Sequence, residues 1–166
     1  MANMPENFKM PFTRVVMRER MDDAFACIAA LTGKSLEEVN RAAVTFGYPP
    51  FGPAYPTEVL MAKLLMSLGG LVATNYKEFT SVAALPEVAI LFIDLDEEMD
   101  TGRTVIFHHV KATATQTSFN YVIDPASWID EARSIRIDVG SLDIAWYMEI
   151  TAASVDGAQK KLGRRP

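Results

Sequence analysis

A single cysteine, Cys27, stands in the 166 residues, so no disulfide can form within the chain and no metal site needing two thiolates can be built from it. Histidine is nearly as scarce. His108 and His109 are the only two, and they are neighbours. Positive charge is not in excess: the net charge of −5 implies no basic face and argues against nucleic acid as a partner. No apolar run is long enough to cross a bilayer, since Val59–Leu68 and Val88–Ile93 both fall short. The opening MANMPENFKMPFTR has no apolar segment of signal-peptide type. These absences lead to the expectation of a cytoplasmic chain with no membrane partner, no metal and no cofactor. Internal repeats and low-complexity linkers are absent as well.

What is present is a large apolar fraction, 49% of residues, enough to bury one substantial core. The spacing predicts helices in the first half. Asp22-Asp23 precedes the apolar run Ala24–Leu31, which closes at Thr32-Gly33; acidic residues suit a helix N-terminus and glycine suits the position after its end. This helix is apolar almost all round and is expected to be central. Ser35-x-x-Glu38 has the spacing of a capping box and predicts a second helix over 36–46, stopped at Gly47. Thr57 predicts the start of a third over 58–67, closed by Gly69-Gly70.

Beyond Gly70 the period changes. Val88–Ile93 reads as a buried strand, Thr104–Lys111 and Phe119–Ile123 as a hairpin around the polar loop 113–118, and Ile135–Val139 and Ile144–Ile150 as two further strands. Helices followed by strands predict an α+β domain, with the N-terminal helices packed on an antiparallel β-sheet. One domain is expected over 1–154. The basic, glycine-containing end 155–166, with Lys160, Lys161, Arg164 and Arg165, is expected to be a flexible tail.

The residues able to carry chemistry are few. Asp22 and Asp23 read as helix caps or, less simply, as a cation site or a carboxylate pair. Cys27 lies in the second turn of the predicted helix, where a thiol is buried and inert. His108 and His109 point to opposite faces of their strand, and His109 with Asp124 could be brought together by the hairpin. The acidic stretch Asp94–Asp100 does not follow the order of a calcium loop and reads as solvated. The segment around Tyr48, Phe51 and Tyr55, rich in proline, is either a binding surface or a lid packed on the core.

Two segments carry a resemblance. Asp22-Asp23-Ala24-Phe25-Ala26-Cys27-Ile28-Ala29-Ala30-Leu31-Thr32-Gly33-Lys34-Ser35, followed by Glu37-Glu38-Val39, resembles the first helix of papain-like cysteine peptidases of the bacteriocin-processing type and their phage relatives. Leu85-Pro86 before a buried strand, and later Tyr121-Val122-Ile123-Asp124-Pro125, are similar to the second half of that family. The resemblance spans roughly residues 14–130 and implies a papain-like fold. It implies a thiolate at a helix N-terminus, a histidine opening one strand, an aspartate ending the next, and an upstream glutamine at the oxyanion hole.

In this chain the nucleophile position falls on Asp23, the histidine position on Arg103 or Thr104, and the glutamine position near Arg18 or Glu19; only Asp124 matches. The resemblance therefore implies a pseudoenzyme, a catalytically inactive peptidase-like module that binds or inhibits a protein or peptide partner. A phage origin, in host cytoplasm or virion, goes with that expectation. Two alternatives stand beside it: an active cysteine hydrolase with a displaced Cys27, His109 and Asp124 site, and a structural virion protein.

Overall fold

A computed structural model describes residues 4–51 and 54–153. The chain forms three helices, α1 (Asp23–Thr32), α2 (Leu36–Thr45) and α3 (Glu58–Gly69), and then seven strands: β1 (Leu71–Ala73), β2 (Lys77–Glu78), β3 (Val88–Asp96), β4 (Thr101–Val110), β5 (Phe119–Ile123), β6 (Ile135–Arg136) and β7 (Ile144–Ala152). The α+β class is as the sequence indicates. The expected tail, 155–166, lies outside the described residues.

Helix α1 has no solvent face. Residues 23–31 are all buried, because α2, α3 and β4 surround the helix. The C-terminus closes on Gly33 at φ 69°, a left-handed position that glycine takes without a Cβ penalty. The Ser35 capping box is complete: the Glu38 amide donates to Ser35 Oγ (3.1 Å) and the Ser35 amide to Glu38 Oε2 (2.8 Å). Helix α2 buries only the stripe Leu36, Val39 and Ala43. Thr57 Oγ1 accepts from the Leu60 amide to open α3.

The strand order is β1-β7-β3-β4-β5-β6, with antiparallel pairing throughout and β2 joining the same side of β7 as β1. The last strand thus lies inside the sheet. Alternation along β4 divides two cores. Ile106 faces the helices together with Ile90, Tyr121, Ile123 and Met148. Val105 and Phe107 face the other way, with Leu91, Ile93 and Val122, under a cover of Phe79, Val82, Leu85 and Leu142.

Several elements depart from the pattern read in the sequence. The strands β1 and β2 are short edge pieces that carry no period-2 signal. The fourth predicted strand stops at Arg136, and a single turn of 3-10 helix occupies Val139–Ser141, where Asp138 accepts from Arg136 and Ser141. Strand β4 starts at Thr101, ahead of the predicted Thr104. Residues 4–17 form an irregular strap over the helix-facing side of β4 and β5: Phe8 packs edge-on to Phe119 and Tyr121, and Phe12 to His108. Arg14 fastens the strap by donating to the carbonyls of Asp124 (2.7 Å), Ala126 (2.8 Å) and Ile129 (3.2 Å).

Gly102 sits where β4 crosses Phe92 of β3. A Cβ there would lie 2.5 Å from the Phe92 ring and 2.9 Å from the Ile93 carbonyl oxygen. Gly102→Ala is expected to cost about 1–3 kcal/mol of stability, as overpacking does. Urea unfolding checks it, and Phe92→Leu in the same chain should recover part of the loss.

Candidate functional site

Five of the singled-out residues meet where the N-terminus of α1 abuts β4. Asp23 is 5% exposed. Its Oδ2 accepts two hydrogen bonds from one residue, the Thr104 amide (2.6 Å) and the Thr104 hydroxyl (2.8 Å). Thr104 Oγ1 in turn lies 3.8 Å from Cys27 Sγ, one helical turn along α1 from Asp23. Arg103 and Thr104 are neighbours on β4, so their side chains leave opposite faces. Thr104 goes to α1, while Arg103 bonds Asp124 Oδ2 through Nη1 and Asp94 Oδ2 through Nε (2.6 Å). The other Asp124 oxygen accepts from the Ala126 amide (3.0 Å).

Neither aspartate at the start of α1 caps it as the sequence suggests. Asp22 turns back and accepts from the amides of Arg18 (3.2 Å) and Glu19 (3.1 Å). Asp23 goes across to β4. The helix end is pressed against the sheet, and donors fixed by other segments take the carboxylates. At Asp23 burial outweighs the pull of the helix terminus. Burial pushes its carboxyl above the ordinary value, against the hydrogen bonds of Thr104 and a weaker pull from the amides of Asp23 and Ala24. Burial likewise raises Asp22, opposed by the amides of Arg18 and Glu19.

Cys27 is 1% exposed, and burial, then the charge of Asp23, pushes its thiol well above the ordinary value. Burial works against the charge of Arg103, but the hydrogen bonds and charges of Asp124 and Asp94 outweigh it and hold the guanidinium firmly protonated. His109 is not part of this cluster. It lies on the sheet face away from α1, with Nδ1 2.6 Å from Asn120 Oδ1. Cys27, His109 and Asp124 are therefore not brought together. His108 is held by the Tyr121 hydroxyl at 2.9 Å.

Above the cluster opens a cleft of about 1210 Å³. Its lining includes Arg18 and Glu19 beside Asp22 and Asp23, the aromatic residues Tyr48 and Tyr55, and Met99, Gly102, Arg103 and Trp128. Both readings of the proline-rich segment have a counterpart here. Tyr48 is tucked onto Phe25 and donates to the Ala54 carbonyl (2.6 Å), while Tyr55 stays 45% exposed on the rim. Trp128, 62% exposed, was not legible as a site residue, since only its place three positions after Pro125 hinted at it. Asp94 was equally hidden: it belongs to the acidic stretch, yet its φ of 54° turns it back to Arg103. Asp96 serves the turn, accepting from the amides of Glu98 and Met99. Among the described residues no cluster of three histidine, cysteine or carboxylate side chains is placed to hold a metal, and no helix is long and apolar enough to cross a membrane.

No family model and no curated protein matches the chain.

Three outcomes follow from this geometry. At about pH 8 the Cys27 thiol should resist iodoacetamide in the folded protein and react fully in denaturant, because burial both shields it and disfavours the thiolate; mass spectrometry reads the difference. Asp124→Ala should cost about 3 kcal/mol by urea unfolding, since it removes the buried one of the two carboxylates on a guanidinium only 20% exposed and the acceptor of the Ala126 amide. Glu37→Ala, which breaks the exposed Arg18 pair, should move urea unfolding by well under about 1 kcal/mol.

Proposed function

We propose that the chain is a peptidase-like domain without hydrolytic chemistry, and that its cleft binds an extended segment of another protein. One observation carries the reading. The residues that the papain-like resemblance puts at the nucleophile, base and orienting positions, Asp23, Arg103 or Thr104, and Asp124, gather beside a cleft that Asp23 and Arg103 line, and each is committed to a partner.

The chemistry available there is not that of a peptidase. Asp23 is a carboxylate, a weak nucleophile toward an amide, and one of its oxygens is already held twice by Thr104. Arg103 stays protonated and cannot take a proton from anything. Thr104 is 4% exposed and donates its hydroxyl proton to Asp23, so it has neither access nor a second base. Cys27 is sealed beneath them. What remains is a concave surface rimmed by exposed apolar side chains, Val44, Tyr55, Met99 and Trp128. Tyrosine and tryptophan at such a rim are the residue types that anchor partners.

The test uses a pool of unstructured peptides. Binding without cleavage is expected, weakened roughly tenfold by Trp128→Ala. Cleavage by the unmodified protein that disappears in a folded Asp23→Ala variant would overturn the reading, and so would the absence of any binding.

A further inference from the structure

The chain that follows β5 supplies Trp128 to the cleft and has no strand ladder of its own. Asp124, Pro125 and Ala126 are buried, and Ser127-Trp128 form an exposed turn closed by the Ile129 amide, which donates to the Ala126 carbonyl (3.2 Å). Carbonyls in such a segment need donors from elsewhere. Here the donors come from the strap at 4–17. Arg14 Nε donates to the Asp124 carbonyl (2.7 Å), and Nη2 to those of Ala126 (2.8 Å) and Ile129 (3.2 Å). The Met17 amide donates to the Pro125 carbonyl (2.9 Å). Arg14 is half-buried and, among the described residues, in no ion pair, so its fork is spent on this one segment. A single nitrogen, Nη2, pins both ends of the turn that carries Trp128. The indole is 62% exposed and pairs with no aromatic ring among the described residues. Its place is therefore set by its backbone rather than by packing of the ring.

We propose that Arg14 is a positioning residue for the cleft: without lining the cleft itself, it holds the turn that presents Trp128 to a bound peptide. The inference rests on the peptide-binding reading and names what keeps that surface preformed. An aromatic anchor contributes most when its ordering cost has been met before the partner arrives. A turn with exposed side chains and few apolar contacts is otherwise among the first parts of a fold to open. Arginine suits the task because its planar fork serves several carbonyls at once, where the point charge of a lysine serves fewer. The strap offers a fixed base for that fork, since Phe8 is seated on Phe119 and Tyr121 and Phe12 on His108. The same strap runs on into Met17, which lines the cleft. Strap and cleft wall are thus coupled through one guanidinium.

The probe is the tightest-binding peptide recovered from the pool of unstructured peptides, and the variants are Arg14→Ala, Trp128→Ala and the two together. Arg14→Ala should weaken binding about tenfold, as Trp128→Ala does, and the double variant should bind no more weakly than Trp128→Ala alone, because both act through one side chain. In the free protein the heteronuclear NOE of the Trp128 indole N–H should fall in Arg14→Ala, a loss of order on the picosecond-to-nanosecond scale. The indole of Trp146, on β7, is the internal reference and should not change. Met148→Ala, a cavity in the core under the helices and off the cleft, controls for lost stability: it should leave both the affinity and the Trp128 NOE in place. Where Arg14→Ala does not fold, Arg14→Lys carries the same cycle with a smaller loss. Undiminished binding by the folded Arg14 variant, a loss that adds to that of Trp128→Ala, or equal weakening by Met148→Ala overturns the inference and leaves the peptide-binding reading standing. If no peptide of the pool binds, the peptide-binding reading is lost, and an unchanged Trp128 NOE in the Arg14 variant overturns this inference separately.

Discussion

Two hydrogen bonds from Thr104 to one oxygen of Asp23 are what allow α1 to be buried with its N-terminal charge on. A helix surrounded by α2, α3 and β4 has no surface to which its first residue can turn. A carboxylate taken out of water costs several kcal/mol unless hydrogen-bonded. The Thr104 amide and hydroxyl return part of that, and both come from a strand whose position is fixed on either side by β3 and β5. The helical half and the sheet half of the chain are joined at this point.

The rest of the site follows from the two-residue period of β4. With Thr104 turned to α1, Arg103 must leave the other face, and Gly102 must face Phe92 on the helix side, where a Cβ has no room. Arg103 then finds Asp124, which the β4–β5 pairing sets at the end of the neighbouring strand, and Asp94, which a left-handed turn brings back from the end of β3. The same alternation sends His109 away from α1 and onto Asn120. A shift of one residue in this register would exchange every one of these partners.

How much of this was legible depends on how local the cause is. The three helices were readable because their stops and caps are written within a few residues, as at Ser35–Glu38 and Thr57. The strands β3, β4 and β5 were readable as apolar runs, and β4 with β5 as a hairpin. The strap at 4–17 was not, because it has no period and is held by Arg14 reaching carbonyls more than a hundred residues away. The edge strands β1 and β2 have too few residues to show alternation. The convergence of Asp23, Arg103, Thr104 and Asp124 could be anticipated only as a correspondence of positions. The Arg103 pair with Asp94 could not, since it depends on the backbone turn at Asp94. The setting of Asp23 differs from that of an exposed helix cap for a reason of magnitude: a helix terminus offers about 0.3–1 kcal/mol to an anion, and burial of a carboxylate withdraws more than that.

The ion pairs also bear on how this arrangement could relate to one with a working thiol. A cysteine at position 23 would have no use for the Thr104 hydroxyl as an anion's donor, and it would need a neutral base within reach. The place beside Asp124 is held by Arg103, whose second bond neutralises Asp94. Replacing that guanidinium by an imidazole would keep one hydrogen bond to Asp124 but leave Asp94 turned inward without its cation, beside a carboxylate already 3% exposed. Two like charges would then face each other across the lost cation, and the turn at Asp94 would have to open to separate them. Arg103, its two carboxylates and the β3–β4 turn are therefore one coupled unit. Each accommodates the charge carried by the others: the guanidinium at 103 answers both carboxylates, and the left-handed turn at 94 brings the second one to it.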